Sequence, residues 1–209
     1  MIARRSILIF IVSLFVIMFS VSMSMAADKN DYYPLTPGSE WIMQVKVIED
    51  NSVIEQKITI DTPEVFEGLT YSVMKQIDPK NKWTVLILKN EKGVYWRKLS
   101  LNKFVTLDSY FDPRAPYVQF PLTKGSKWEW SGNYKLPWGD KKSSMKFEVQ
   151  NDAEEVTVPA GKFNCAKIHI IKVLDKDTDE ETNWYAPGVG LIKQKSKKYL
   201  KELKSYNVK

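Results

Sequence analysis

One eight-residue segment occurs twice, and this constrains the fold more than any other feature of the chain. Pro34-Leu35-Thr36-Pro37-Gly38-Ser39-Glu40-Trp41 returns as Pro121-Leu122-Thr123-Lys124-Gly125-Ser126-Lys127-Trp128, with an aromatic, Tyr33 or Phe120, before each copy. Further echoes follow in the same order. Glu64-Val65-Phe66-Glu67-Gly68-Leu69 is matched by Glu155 to Phe163, and Gly93-Val94 by Gly188-Val189. The offsets are all about 90 residues, so two copies of one unit, about 32–115 and 119–209, make up the chain. A short unit of this kind does not bury its own apolar face, so the two copies are expected to complete one sheet around one core. The motif itself reads as architecture. Pro fixes φ, Gly takes a turn conformation, and Trp opens the next strand facing inward.

Between these landmarks the periodicity is two. Trp41, Met43, Val45 and Val47 alternate with more polar neighbours, as do Ile54, Ile58 and Ile60, and later Met145, Phe147 and Val149. Lys82 to Lys89 carries apolar residues on both faces, and Asn90-Glu91-Lys92-Gly93 is a hairpin turn leading to Val94–Leu99. Phe163–Leu174 and Gly190–Lys195 are expected to form a second hairpin around an acidic loop, Asp175 to Glu181. Only the tail, Tyr199 to Tyr206, has a pattern compatible with helix. The fold class predicted is all-β, a single curved antiparallel sheet of roughly ten strands, open or closed into a barrel.

The first 26 residues have the layout of an export signal. Arg4 and Arg5 precede an uncharged apolar run, Ser6 to Val21, and Ser24-Met25-Ala26 supplies small residues where a signal peptidase cuts. Cleavage leaves residues 27–209 as one all-β domain with no membrane-spanning segment, located in the periplasm or secreted. The only cysteine is Cys165, so no disulfide can form within the chain, no lipobox is present, and no N-terminal lipid anchor is expected. Removing two arginines from 31 basic residues, against 25 acidic, leaves a net charge of +4. That excess gathers in the C-terminal lysines, Lys193 to Lys209, where it reads as a solvated strand edge rather than a nucleic-acid footprint.

Tyr32-Tyr33-Pro34-Leu35 with Gly38 and Trp41, Val158-Pro159-Ala160-Gly161-Lys162-Phe163, and Trp184-Tyr185-Ala186-Pro187-Gly188-Val189-Gly190-Leu191 carry a resemblance. The chain resembles TapB-like, or domain-of-unknown-function, secreted bacterial proteins, and is distantly similar to half-barrel carriers of the LolA/LolB type. The resemblance implies an envelope location and handling of an apolar or lipid-like ligand. Unlike the Lol carriers, the chain has no clear internal helix to fill the concave face, so its sheet either closes on its own side chains or stays hollow.

Chemistry is hard to find. The single histidine, His169, lies between Ile168 and Ile170 in a strand, and there is no Gly-x-Ser-x-Gly elbow. One His and one Cys do not make a zinc site. Asp175-Lys176-Asp177-Thr178-Asp179 starts like a calcium loop, but Glu180 stands where the loop needs glycine, so an exposed acidic tip is expected. No enzyme activity, cofactor or metal is therefore predicted. Seven Trp and ten Tyr exceed what a core this size requires, which points to a binding surface. Trp41 and Trp128 are assigned to the core, and Trp130 and Trp138 to ligand contacts. The partner expected is an apolar small molecule or lipid; the alternative is a solid-cored scaffold that binds another envelope protein.

Overall fold

The computed structural model describes residues 31–209, so the export signal read over residues 1–26 lies outside the described residues. Twelve antiparallel strands follow one another around a closed barrel. They are β1 (Glu40–Val47), β2 (Val53–Phe66), β3 (Leu69–Ile77), β4 (Lys82–Asn90), β5 (Gly93–Asn102) and β6 (Thr106–Gln119). The second half supplies β7 (Lys127–Leu136), β8 (Gly139–Val158), β9 (Gly161–Leu174), β10 (Asp177–Ala186), β11 (Gly190–Ser196) and β12 (Tyr199–Asn207). Each strand pairs with its predecessor, and β12 returns to pair with β1, leaving no free edge.

Both copies of the repeated octapeptide sit at the same end of the barrel and enter β1 and β7 alike. Gly38 and Gly125 have φ of 85° and 88°, a left-handed conformation open to glycine. Their amides donate to the Ile60 and Val149 carbonyls, both at 2.8 Å, and the Ile60 and Val149 amides donate back to Ser39 and Ser126. Trp41 and Trp128 are buried at the head of their strands. Six strands follow each copy.

The strand count exceeds roughly ten for local reasons. Pro113 and Pro116 weaken the strand signal across β6, and the β5–β6 ladder shifts register where they fall, between Val94 and Tyr95 opposite Pro116 and between Trp96 and Lys98 opposite Pro113. The acidic stretch expected as a loop is mostly strand: only Asp175 and Lys176 turn, and Asp177–Glu181 pairs with β9 as the start of β10. The hairpin expected between β9 and β11 is therefore two hairpins, with β10 between them. The tail read as helix-compatible is β12, because its backbone is claimed by β1 from Glu40 to Val47.

The interior is filled unevenly. Across β6 to β9 large side chains meet. Trp128 stacks on Phe147 at 5.0 Å, Tyr117 meets Phe147 edge-on at 6.2 Å, and Trp130 packs edge-on against Phe111 at 5.6 Å. The apolar outer face of β4 has its own cover: Tyr71, Val73 and Leu86 form a small cluster outside the barrel with Phe66 and Leu88 packed on it. Elsewhere the outer wall carries ion pairs, such as Lys57–Glu40, Lys75–Asp61 and Lys127–Glu148. A membrane-spanning barrel has the inverse surface, an apolar outer band.

Candidate functional site

The other side of the barrel is hollow. A cavity of about 460 Å³ lies between β1–β5 and β10–β12, inside the size range of small-molecule sites. Inward positions fixed by the two-residue period build its wall: Met43 and Val45 from β1, Ile54 and Ile58 from β2, Met74 from β3 and Val85 from β4. Tyr33 and Pro34 close one end. Their segment is pinned there, since Lys89 bonds the Asp31 carboxylate at 2.5 Å and the Tyr33 carbonyl at 3.0 Å. Trp41 is held at the same end by an indole N–H bond to the Val189 carbonyl, 2.7 Å. At the opposite end the lining reaches Val47, Asp78, Trp83 and the exposed Lys198, where the strand turns leave a mouth.

Glu181 stands in the interior only 4 % exposed. Its carboxylate accepts from the Lys172 ammonium at 2.8 Å, the Tyr117 hydroxyl at 2.9 Å and the Asn183 amide at 3.2 Å. Tyr117 belongs to β6 and Glu181 to β10, so this hydrogen bond spans the barrel where the packed side meets the hollow one. Trp96 stacks on Tyr117 at 3.9 Å and continues the partition. Burial pushes the Glu181 pKa up, but Lys172 and the hydrogen bonds from Lys172, Tyr117 and Asn183 outweigh it and hold the carboxyl below its ordinary value. Burial raises Tyr117 and Tyr185 well above the usual phenol range. Both phenols stay protonated, and Tyr117 donates to Glu181.

Lys201 is the second cation of the cavity wall. It sits on β12 between Val45 of β1 and Gln194 of β11, donates to the Gln56 side-chain oxygen at 3.2 Å and lies 4.7 Å from the Tyr199 ring centre. Burial lowers its pKa to about 8, with Glu181 partly opposing that fall. The C-terminal lysines read from sequence as a solvated edge are thus divided. There is no edge, because β12 is paired on both sides, and Lys201 faces inward while Lys204 faces out to Glu55.

Neither Trp130 nor Trp138 is among the cavity-lining residues. Trp130 is 4 % exposed in the packed half and donates to the Pro113 carbonyl at 2.9 Å. Trp138 is 66 % exposed in the β7–β8 turn, at the mouth end of the barrel. The lining tryptophans are Trp41, Trp83 and Trp96. His169 points outward from β9 toward Glu180, 4.0 Å away. Cys165 is fully buried, and burial raises its thiol pKa to about 12, so thiolate chemistry is suppressed. No cluster of three His, Cys, Asp or Glu side chains fit for a metal occurs among the described residues. Sequence reading missed Glu181 and Lys201. A usable signal existed: Glu181-x-Asn183-x-Tyr185 and Tyr199-x-Lys201-x-Leu203 each put a charged residue in phase with apolar ones.

Comparison with known proteins places the fold but names no activity. No curated protein matches the chain. In solved structures, the barrel is similar to a candidate lipoprotein of Parabacteroides distasonis ATCC 8503, with a TM-score of 0.50 and 18% identity. That match covers 84% of this chain and 98% of the other. A candidate exported protein with a YmcC-like fold, from Bacteroides fragilis NCTC 9343, has a TM-score of 0.48 and 12% identity over the same shares. Over residues 138–208, from the β7–β8 turn to the end of β12, the sequence matches the family described as DUF3108-like.

Proposed function

We propose that the protein is an exported, non-catalytic β-barrel of the periplasm or extracellular space that binds or carries a lipid-like or other apolar molecule. The observation that carries this reading is the one-sided cavity of about 460 Å³, walled by Met, Val and Ile side chains and open at one end. A barrel stabilised only by its core would fill that space, as β6 to β9 do. The charged outer wall suits an aqueous compartment, and the similarity to a lipoprotein-type barrel agrees with passage out of the cytoplasm. The buried carboxylate is fully engaged: Glu181 is occupied by Lys172, Tyr117, Asn183 and Tyr199, an arrangement that positions charge rather than activating a nucleophile.

Trp138 and Phe104, the latter fully exposed, occupy the β7–β8 and β5–β6 turns at the mouth end. We assign them to contact with the surface or partner from which the ligand enters. The test is uptake of a fluorescent fatty-acid analogue by the exported chain, together with Val45→Phe. Wild type should bind the probe with a single saturable site. Val45→Phe, which projects a ring into the cavity from β1, should weaken uptake about tenfold or more while the protein stays folded. Absence of probe binding by wild type, with no lipid in solvent extracts of protein from its own envelope, would overturn the reading.

A further inference from the structure

Besides Gln76 and the mouth residues Asp78 and Lys198, the polar groups of the cavity wall gather in one patch, and its two lysines outnumber its one carboxylate. Lys172 and Lys201 face Glu181, the one buried carboxylate of the interior, and Lys172 takes it at 2.8 Å. Lys201 is left in no ion pair among the described residues, its ammonium bonded to the neutral Gln56 amide. The groups around it are otherwise uncharged: Val45 of β1, Gln194 of β11 and Tyr199 of its own strand. Asp78 and Lys198 lie at the mouth, and Glu181 is already shared among four donors, Lys172, Tyr117, Asn183 and Tyr199. An ammonium withdrawn from water without a counter-charge is costly. An anion delivered by a ligand removes that cost, and the apolar wall beside it receives the rest of the same molecule.

Resting on the carrier reading above, we propose that Lys201 is the head-group site of the cavity. Its ligand is a single-chain amphiphile with one anionic head, carboxylate or phosphate, held inside the barrel with its chain along Val45, Ile54 and Ile58. Gln56 and Gln194 line the cavity beside Lys201 and share the head group's remaining hydrogen bonds. The lysine titrates near pH 8, so it is charged at neutral pH and discharged in moderate alkali.

Calorimetric titration of the exported chain with dodecanoic acid, dodecyl phosphate and 1-dodecanol at pH 7 tests this. At least one anion should bind roughly tenfold tighter than the alcohol, the worth of a charged hydrogen bond in a dry site. Carboxylate preference marks a free fatty acid, and phosphate preference a phospholipid-type head. Lys201→Met should remove the anion preference, bringing the anions to the level of the alcohol, while Lys201→Arg keeps it. Should Lys201→Met fail to fold, the wild-type pH series decides: the anion preference must shrink between pH 7 and pH 9.5. Equal binding of alcohol and anions, or a preference that survives Lys201→Met or is flat with pH, overturns the head-group site alone. Failure of all three probes to bind overturns the carrier reading with it.

Discussion

Replacing Glu181 by Gln preserves shape and removes the negative end of the interior network. Lys172 and Lys201 then face each other across the cavity with no buried counter-charge, and Tyr117 keeps only a neutral acceptor. Breaking a fully buried pair costs about 3–5 kcal/mol. The Lys172 side chain is 32% exposed, so water recovers part of that, and a loss of about 2.5 kcal/mol is expected. For a domain of this size that is a fall in Tm of about 5–10 °C. Urea unfolding followed by tryptophan fluorescence measures it. Glu181→Gln combined with Lys172→Met should lose less than the single change, because the cation that faced the carboxylate is gone while Gln still offers an acceptor to Tyr117 and Asn183. The pH dependence has a definite sign. Glu181 titrates below its ordinary 4.5 in the folded state, so its contribution is complete above that value and disappears as pH falls through the folded-state pKa. The gap between wild type and Glu181→Gln must therefore be full at pH 7 and close in stronger acid. A gap under about 0.5 kcal/mol at pH 7, below what one charged hydrogen bond supplies, or one that is constant with pH, refutes the reasoning.

Lys201→Met should stabilise the empty protein at pH 7 by up to about 3 kcal/mol, since its pKa falls from 10.5 to about 8 on folding and each unit is worth about 1.4 kcal/mol. Charged Lys201 costs stability below pH 8, and the gain should fade between pH 8 and 10.5; a gain constant over that range contradicts the burial. Cys165 should resist a thiol reagent in the native protein and react as one equivalent in urea, and rapid native labelling would place it outside the core. Gly93→Ala puts a Cβ 2.2 Å from the Val118 carbonyl oxygen and should cost about 1–3 kcal/mol. At Gly68 the same Cβ meets nothing within 4 Å, so only the φ of +75° opposes it and the loss should be smaller.

Much of the barrel was legible because its signals are local. Trp41, Met43, Val45 and Val47 share a face in the sequence and share the interior in the structure. The Lys82–Lys89 segment carries apolar residues on both sides because Ile87 faces the core while Leu86 is covered by the outer cluster around Tyr71. The site was less legible. Glu181 ends an acidic run that looks solvated, and Lys201 sits among six other C-terminal lysines, several of them exposed. Their own strands point them inward, but a charged residue at an inward position is stable only if distant chain segments supply partners. For Glu181 the partner on the far wall is Tyr117, 64 residues away, and for Lys201 it is Gln56, 145 residues away.

The chain by itself therefore determined most of the strands, the antiparallel all-β class and the inward tryptophans at the head of β1 and β7, because each follows from a period of two and from turn residues. Only the tertiary structure decided that the sheet closes, that β6 to β9 fill their side while β1–β5 and β10–β12 leave theirs hollow, and that one lysine stands unpaired in the hollow. The physical reason is range. Periodicity reports which face a side chain occupies relative to its neighbours in sequence, whereas a cavity is defined by which side chains meet across the barrel and by the volume they leave between them.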